Sequence, residues 1–176
     1  GATADDAFRS AFEPDSQARI EYAVSDQWRS AELVGAGGRG VWIVTHSLAE
    51  PLAFWCRSTG LVVPVPSDDN AASAFAALGD GGDLVRLNCE SGRLTRISPL
   101  LDTIAALSLV SAAQPATDVA RSCFDTRPVC QLADWVASGA VQLLLHQQSA
   151  VVVDSGRATV RVFSVLSGEL RASQAL

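Results

Sequence analysis

The chain has 176 residues, 48% of them hydrophobic and only 18% charged, which is enough to bury a core and too apolar for disorder; the length fits one domain with attached extensions. Thirteen basic residues against 19 acidic ones leave a net charge of −6, the wrong sign for a sequence-blind nucleic-acid surface, so no broad surface of that kind is expected. All 13 positive charges are Arg and there is no Met, so Schiff-base chemistry and a P-loop Lys are excluded.

In chain order, Phe8 and Phe12 lie at i, i+4 behind Asp5 and Asp6, which predicts a short helix over 4–12. Ile20, Tyr22 and Val24 alternate with Arg19, Glu21 and Ala23, the period of a half-buried strand. The run Gly35-Ala36-Gly37-Gly38-Arg39-Gly40 precedes a strand rather than following one; a phosphate cradle needs the reverse order, so this reads as a flexible connector.

Val41-Trp42-Ile43-Val44 reads as a strand buried on both faces. Ser47, Glu50 and Pro51 carry the spacing of a capping box with Pro in the first turn, predicting a helix over 49–59 that stops at Gly60. Leu61 to Val65 reads as a strand whose prolines place it at an edge or an end. Strand, helix and strand with short links imply a right-handed parallel crossover.

Further on, Asp68 to Asn70 cap a predicted short helix through Phe75 and Leu78, and Leu84 to Leu87 form a strand. Ser98 and Pro99 open a predicted amphipathic helix over 98–109. Residues 111–126 read as an elaborated connection. Pro128 to Leu132 form a short strand leading into one or two helical turns around Trp135, ended by Gly139. Finally, Val151 to Val153 and Val160 to Val165 flank the turn Asp154-Ser155-Gly156-Arg157, which predicts an antiparallel hairpin.

The longest apolar runs, Leu61 to Val65 and Val141 to Leu145, fall far short of the roughly 20 residues of a membrane helix, so no membrane partner is expected. A start at Gly1-Ala2-Thr3 suits either a segment excised from a longer protein or a mature secreted chain. Cys56, Cys89, Cys123 and Cys130 show no CxxC pairing; they read as buried free thiols or, in a secreted chain, as one or two disulfides with Cys123 and Cys130 the nearest pair. His46 and His146 have no ligand partners at metal-binding spacing, so neither metal nor cofactor is expected. No G-x-S-x-G occurs, and an enzyme is not the favoured reading.

The order from the strand at 41–46 to the closing run Pro128-Val129-Cys130-Gln131-Leu132-Ala133-Asp134-Trp135-Val136-Ala137-Ser138-Gly139 resembles a BRCT domain over residues 39–142. An acidic, Lys-free, elaborated version is also similar to the BRCT region of kinetoplastid kinetochore proteins. The resemblance implies an α/β fold, with a small central parallel sheet flanked by helices. Residues 1–38 would form an amino-terminal extension, and 143–176 a carboxy-terminal β-hairpin extension of the same domain. It further implies a non-catalytic protein-interaction module of a nuclear, even kinetochore, protein that binds a phosphorylated peptide or another protein partner. The phosphate would be held by Thr45 and Ser47 hydroxyls, the His46 amide, and Arg93 or Arg96. Short hydroxyl donors, an amide at a helix start and a bidentate guanidinium suit a dianion on physical grounds as well. The same residues have plainer roles, as strand-end and capping hydroxyls and solvated cations. The alternatives are a secreted or periplasmic bacterial binding or toxin-immunity protein with disulfides, and a hydrolase using Cys56 or Ser47.

Overall fold

A computed structural model of the chain describes residues 32–44, 52–67, 71–77, 82–108 and 117–176. The expected amino-terminal helix and the strand at Ile20 to Val24 lie outside them. The chain forms two compact units interleaved in sequence: Gly1–Asp68, Gly79–Gly82 and Pro99–Asp125 in the first, Asp69–Leu78, Asp83–Ser98 and Thr126–Leu176 in the second.

The first unit holds a four-stranded sheet that runs in sequence order: β1 (Glu32–Ala36), β2 (Gly40–Val44), β3 (Leu52–Cys56) and β4 (Val62–Pro64). All three neighbouring pairs are antiparallel. Every residue of β2 and β3 is buried, as the uninterrupted apolar run of β2 foretells. Trp42 faces Phe54 across the pair, with ring centroids 4.9 Å apart, and Phe124 lies 5.9 Å from Trp42 on its other side. Such tilted aromatic pairs add about 0.5–1.5 kcal/mol each beyond the area they bury. The buried Trp42 Nε1 donates to the Gly82 carbonyl at 3.2 Å. The same unit contains two helices, α1 (Leu101–Ser108) and α2 (Thr117–Ser122), which bury Ile104 and Ala120.

The second unit contains most of a sheet of β5 (Ser73–Ala77), β6 (Leu84–Asn88), β7 (Arg93–Pro99) and β8 (Phe124–Gln131), and all of a third sheet, β9 (Val141–His146), β10 (Ser149–Asp154), β11 (Thr159–Ser164) and β12 (Leu170–Ala175). Both again follow sequence order. Their inner faces share one core, in which Val85, Leu87 and Leu94 meet Leu143, Val152 and Phe163. The first strands of the two sheets, β5 and β9, lie against each other.

Three mostly antiparallel sheets overturn the expected parallel α/β core flanked by helices. The predicted helix at 49–59 is strand β3, and the predicted helix through Phe75 is strand β5. Leu52–Cys56 is an apolar run of five between turn signals, which fits a buried strand; a helix of ordinary length needs ten or more residues, and tertiary pairing outweighs a capping pattern. Gly60 does occupy the left-handed conformation expected of a helix cap, at φ 72, but in the turn between β3 and β4. The expected helix around Trp135 is an irregular connector. The strands at 41–44 and 84–87 are present, the proline-bearing β4 is an edge strand, and the hairpin around Asp154 is formed by β10 and β11. Among the described residues no helix is long and apolar enough to cross a membrane.

Candidate functional site

Thr45, His46 and Ser47 lie outside the described residues. Arg93 and Arg96 are both on β7, but an odd separation along a strand points side chains to opposite faces. Arg93 is exposed, while Arg96 Nε donates to Asp83 Oδ2 at 2.6 Å and its Nη2 contacts the same oxygen. The guanidinium of Arg96 is thus already matched by a carboxylate, and the two arginines do not converge on one anion.

All four cysteines are free thiols, so the Cys123–Cys130 bridge is not formed. Cys56 ends strand β3 with its Sγ 3.3 Å from Ser58 Oγ. Burial pushes the Cys89, Cys123 and Cys130 thiols above the usual range, the opposite of what an activated thiolate requires. Among the described residues, no three His, Cys, Asp or Glu side chains gather closely enough to hold a metal ion.

Among the described residues, a convergence of polar groups that sequence reasoning missed lies at one end of the second unit. Three segments meet there: the β6–β7 turn Cys89–Gly92, the β8–β9 connector over 132–140, and the β10–β11 turn over 155–158. The connector is fastened to both turns. On one side, Leu132 N–H donates to Gly92 O at 3.0 Å, and the Cys89 carbonyl accepts from both Trp135 Nε1 at 3.0 Å and Ser138 N–H at 3.2 Å. On the other side, Arg157 Nη1 donates to Asp134 O at 3.0 Å and Arg161 Nη1 to Ala133 O at 2.8 Å. The Arg161 guanidinium also lies over the Trp135 ring, 5.9 Å from its centroid.

Asp154 anchors the third segment. It is only 1% exposed, and its Oδ1 accepts from Ser138 Oγ at 3.2 Å and from Arg157 N–H at 3.3 Å. An Asp at the first position of a tight turn, accepting from the backbone beyond it, is a local device legible in Asp154-Ser155-Gly156-Arg157. Its long-range bond to Ser138 is not legible there. The outcome is a cross-linked platform that displays Glu90, Ser91, Asp134, Val136 and Arg157 to solvent, with Val136 54% exposed. Charges of both signs and an apolar side chain on a rigid base suit contact with another protein, and the carbonyls that fasten the connector have their donors.

No family model matches the chain. No curated protein matches it either.

Proposed function

We propose that the chain is a non-catalytic protein-interaction module whose contact surface is the platform formed by the β6–β7 turn, the β8–β9 connector and the β10–β11 turn. The observation that carries this reading is the clasp itself. Nine connector residues without regular structure are held by bonds to two different sheets, so that Asp134, Val136 and Arg157 are presented in fixed positions. Preorganised loops on a rigid sheet scaffold bind with less ordering cost than mobile ones. The stacking of four-stranded sheets in sequence order, first strand against first strand, has the character of neighbouring β-propeller blades, a repeat architecture that builds extended binding surfaces. Recognition of a phosphorylated peptide through Arg93 and Arg96 is not part of this reading, since Arg96 is paired with Asp83.

The test immobilises the full chain and compares what it retains from an extract of its source cells with what Val136→Arg combined with Glu90→Arg retains. Both positions are exposed, so far-ultraviolet circular dichroism should be unchanged. A protein held by the wild type and by a control altered in the β9–β10 turn (Gln148→Arg, exposed), but lost by the platform variant, supports the reading. Identical retention by all three overturns it, as does stoichiometric labelling of Cys56 or a serine by an electrophilic hydrolase probe with turnover that the labelling abolishes.

A further inference from the structure

Beside the β9–β10 turn, the outer face of the third sheet gathers hydrogen-bond donors. Alternation with the core residues Leu143, Ala150, Val152 and Phe163 puts His146, Ser149 and Ser164 on that face. The registers set them side by side on three neighbouring strands, His146 opposite Ser149 and Ser149 opposite Ser164. Cβ atoms of such cross-strand pairs lie about 4.5–5.5 Å apart. A fourth residue arrives from the edge strand. Ala172 is opposite Val162 and Leu170 opposite Phe163, so Arg171 is the extra residue of a bulge, a device that re-aims the side chain it carries. Arg171 Nη1 reaches across the sheet and donates to Ser149 Oγ at 2.9 Å.

These groups have donors to spare. Ser149 Oγ accepts from Arg171, which leaves its own hydroxyl proton to donate. Arg171 makes no further hydrogen bond or ion pair to a described residue, and His146 makes none. No outward position of β9, β10 or β11 bears a carboxylate, and Glu169, in the adjoining β11–β12 turn, forms no ion pair with Arg171. In a chain of net charge −6 the long-range field repels anions, so an anion held here is held by these local groups.

Guanidinium, hydroxyl and imidazole N–H converge from three strands, and the complement of three separate donors is an anion with three free oxygens. A carboxylate has two; a phosphate group has three, and the Arg fork suits two of them at once. We propose that His146, Ser149 and Arg171 form a binding site for a phosphate group, carried by inorganic phosphate or by a phosphate monoester. The site lies at the opposite end of β10 from the platform's β10–β11 turn and does not rest on the interaction reading, so either idea can fail alone.

Nitrogen-15 NMR of the full chain, titrated with potassium phosphate to about 50 mM at fixed pH and ionic strength, tests the site free of changes in screening. The His146 ring and Arg171 guanidinium signals should shift together and saturate, with a half-point of about 1–10 mM for so small and exposed a site. Arg171→Ala should weaken binding about tenfold and His146→Ala about threefold, the losses of a charge-assisted and of an ordinary hydrogen bond. Both side chains are exposed, so the fold is kept, and Arg93→Ala, at an exposed cation of the second sheet, should change nothing. Glycerol phosphate separates the two sources: a half-point equal to that of inorganic phosphate assigns the site to phosphate monoesters as well, whereas saturation by the inorganic anion alone assigns it to free phosphate. Shifts that grow linearly over the whole range overturn the proposal, as does saturation that Arg171→Ala and His146→Ala leave unchanged.

Discussion

Gly92→Ala is the sharpest probe of the platform. Gly92 adopts φ +72, and a Cβ built on it would lie 2.6 Å from Trp135 Cβ and 2.7 Å from Trp135 Cδ1, closer still to Cγ. No rotation of the new methyl relieves this, so Trp135 must withdraw. Holding Ala in the left-handed region costs about 1–2 kcal/mol. Withdrawal then forfeits the Trp135 Nε1 bond to Cys89 O, about 0.5–1.5 kcal/mol, and the Arg161 contact with the ring, about 0.5–1 kcal/mol. The expected loss is therefore about 2–4.5 kcal/mol. Urea unfolding followed by far-ultraviolet circular dichroism measures it, with Gly139→Ala as control, since nothing lies within 4 Å of a Cβ there. In a Trp135→Gly background no side-chain atom remains at 135 to clash, and Gly92→Ala should cost only the backbone share, about 1–2 kcal/mol. The reasoning is refuted if Gly92→Ala lies within about 0.5 kcal/mol of wild type, or if its cost is the same in both backgrounds.

Asp154 Oδ2 is buried with no hydrogen-bond partner, whereas Oδ1 has two donors. Asp154→Asn keeps the acceptor and should unfold at or above the wild-type urea midpoint, while Asp154→Ala strands two donors and should cost about 1–3 kcal/mol. Arg96→Ala breaks a pair whose side chains are 28% and 15% exposed; it should cost less than about 1 kcal/mol, a loss that shrinks in 1 M salt, and a larger, salt-independent loss would assign Arg96 another role. Burial raises the Cys89, Cys123 and Cys130 thiols, so the folded state favours their protonated form. Stability from this source is complete below the unfolded thiol pKa of about 8.5 and is lost as pH rises above it. With no Lys and a single Tyr few other side chains titrate there, so the melting temperature should fall between pH 7.5 and pH 10, and fall less in Cys123→Ala combined with Cys130→Ala.

What could be read from the sequence was extended structure, and what could not was which strand neighbours which. Val41–Val44 and Leu84–Leu87 are dominated by branched aliphatic residues and one Trp, and both are strands. The hairpin around Asp154 is signalled by paired valine runs about a polar turn. Leu52–Cys56 sets helix-favouring Leu and Ala beside Phe, Trp and Cys, so its composition is ambiguous and the capping pattern points to a helix; pairing with Val41–Val44 decides for a strand. β7 went unread for a different reason. Leu94 faces the shared core while Ile97 and Pro99, buried as well, fall on the other face, which erases the two-residue period. Trp135 packs, partly buried, against the shared core, but its hydrogen-bond partner is the turn at Cys89–Gly92, 46 residues away along the chain at Cys89, and no local pattern encodes that contact.

The three sheets are unevenly spaced along the chain. The first strands of the three sheets begin at residues 32, 73 and 141, intervals of 41 and 68 residues. Between β7 and β8 lie the 24 residues 100–123, which contain α1 and α2; without them the second interval becomes 44. The two intervals are then nearly equal, as the blade-like reading proposed above would require. A helical insertion within the second sheet leaves the hydrogen-bonded order β5-β6-β7-β8 intact, because the edge strand β8 can be delivered by a connection of any length that ends beside β7; Leu100 N–H donating to Cys123 O at 2.8 Å closes that loop at its base. The insertion also supplied the amphipathic helix that, set among strands, gave the sequence its α/β appearance. A variant that replaces residues 101–122 with a short Gly/Ser turn removes Ile104 and Ala120 from the first unit's core but leaves the β5-β6-β7 registers and the third sheet untouched. Amide exchange should therefore stay slow in β6 and β10 and quicken in β2 and β3; loss of protection in β10 to the same degree as in β2 would show that the two units do not hold their structure independently.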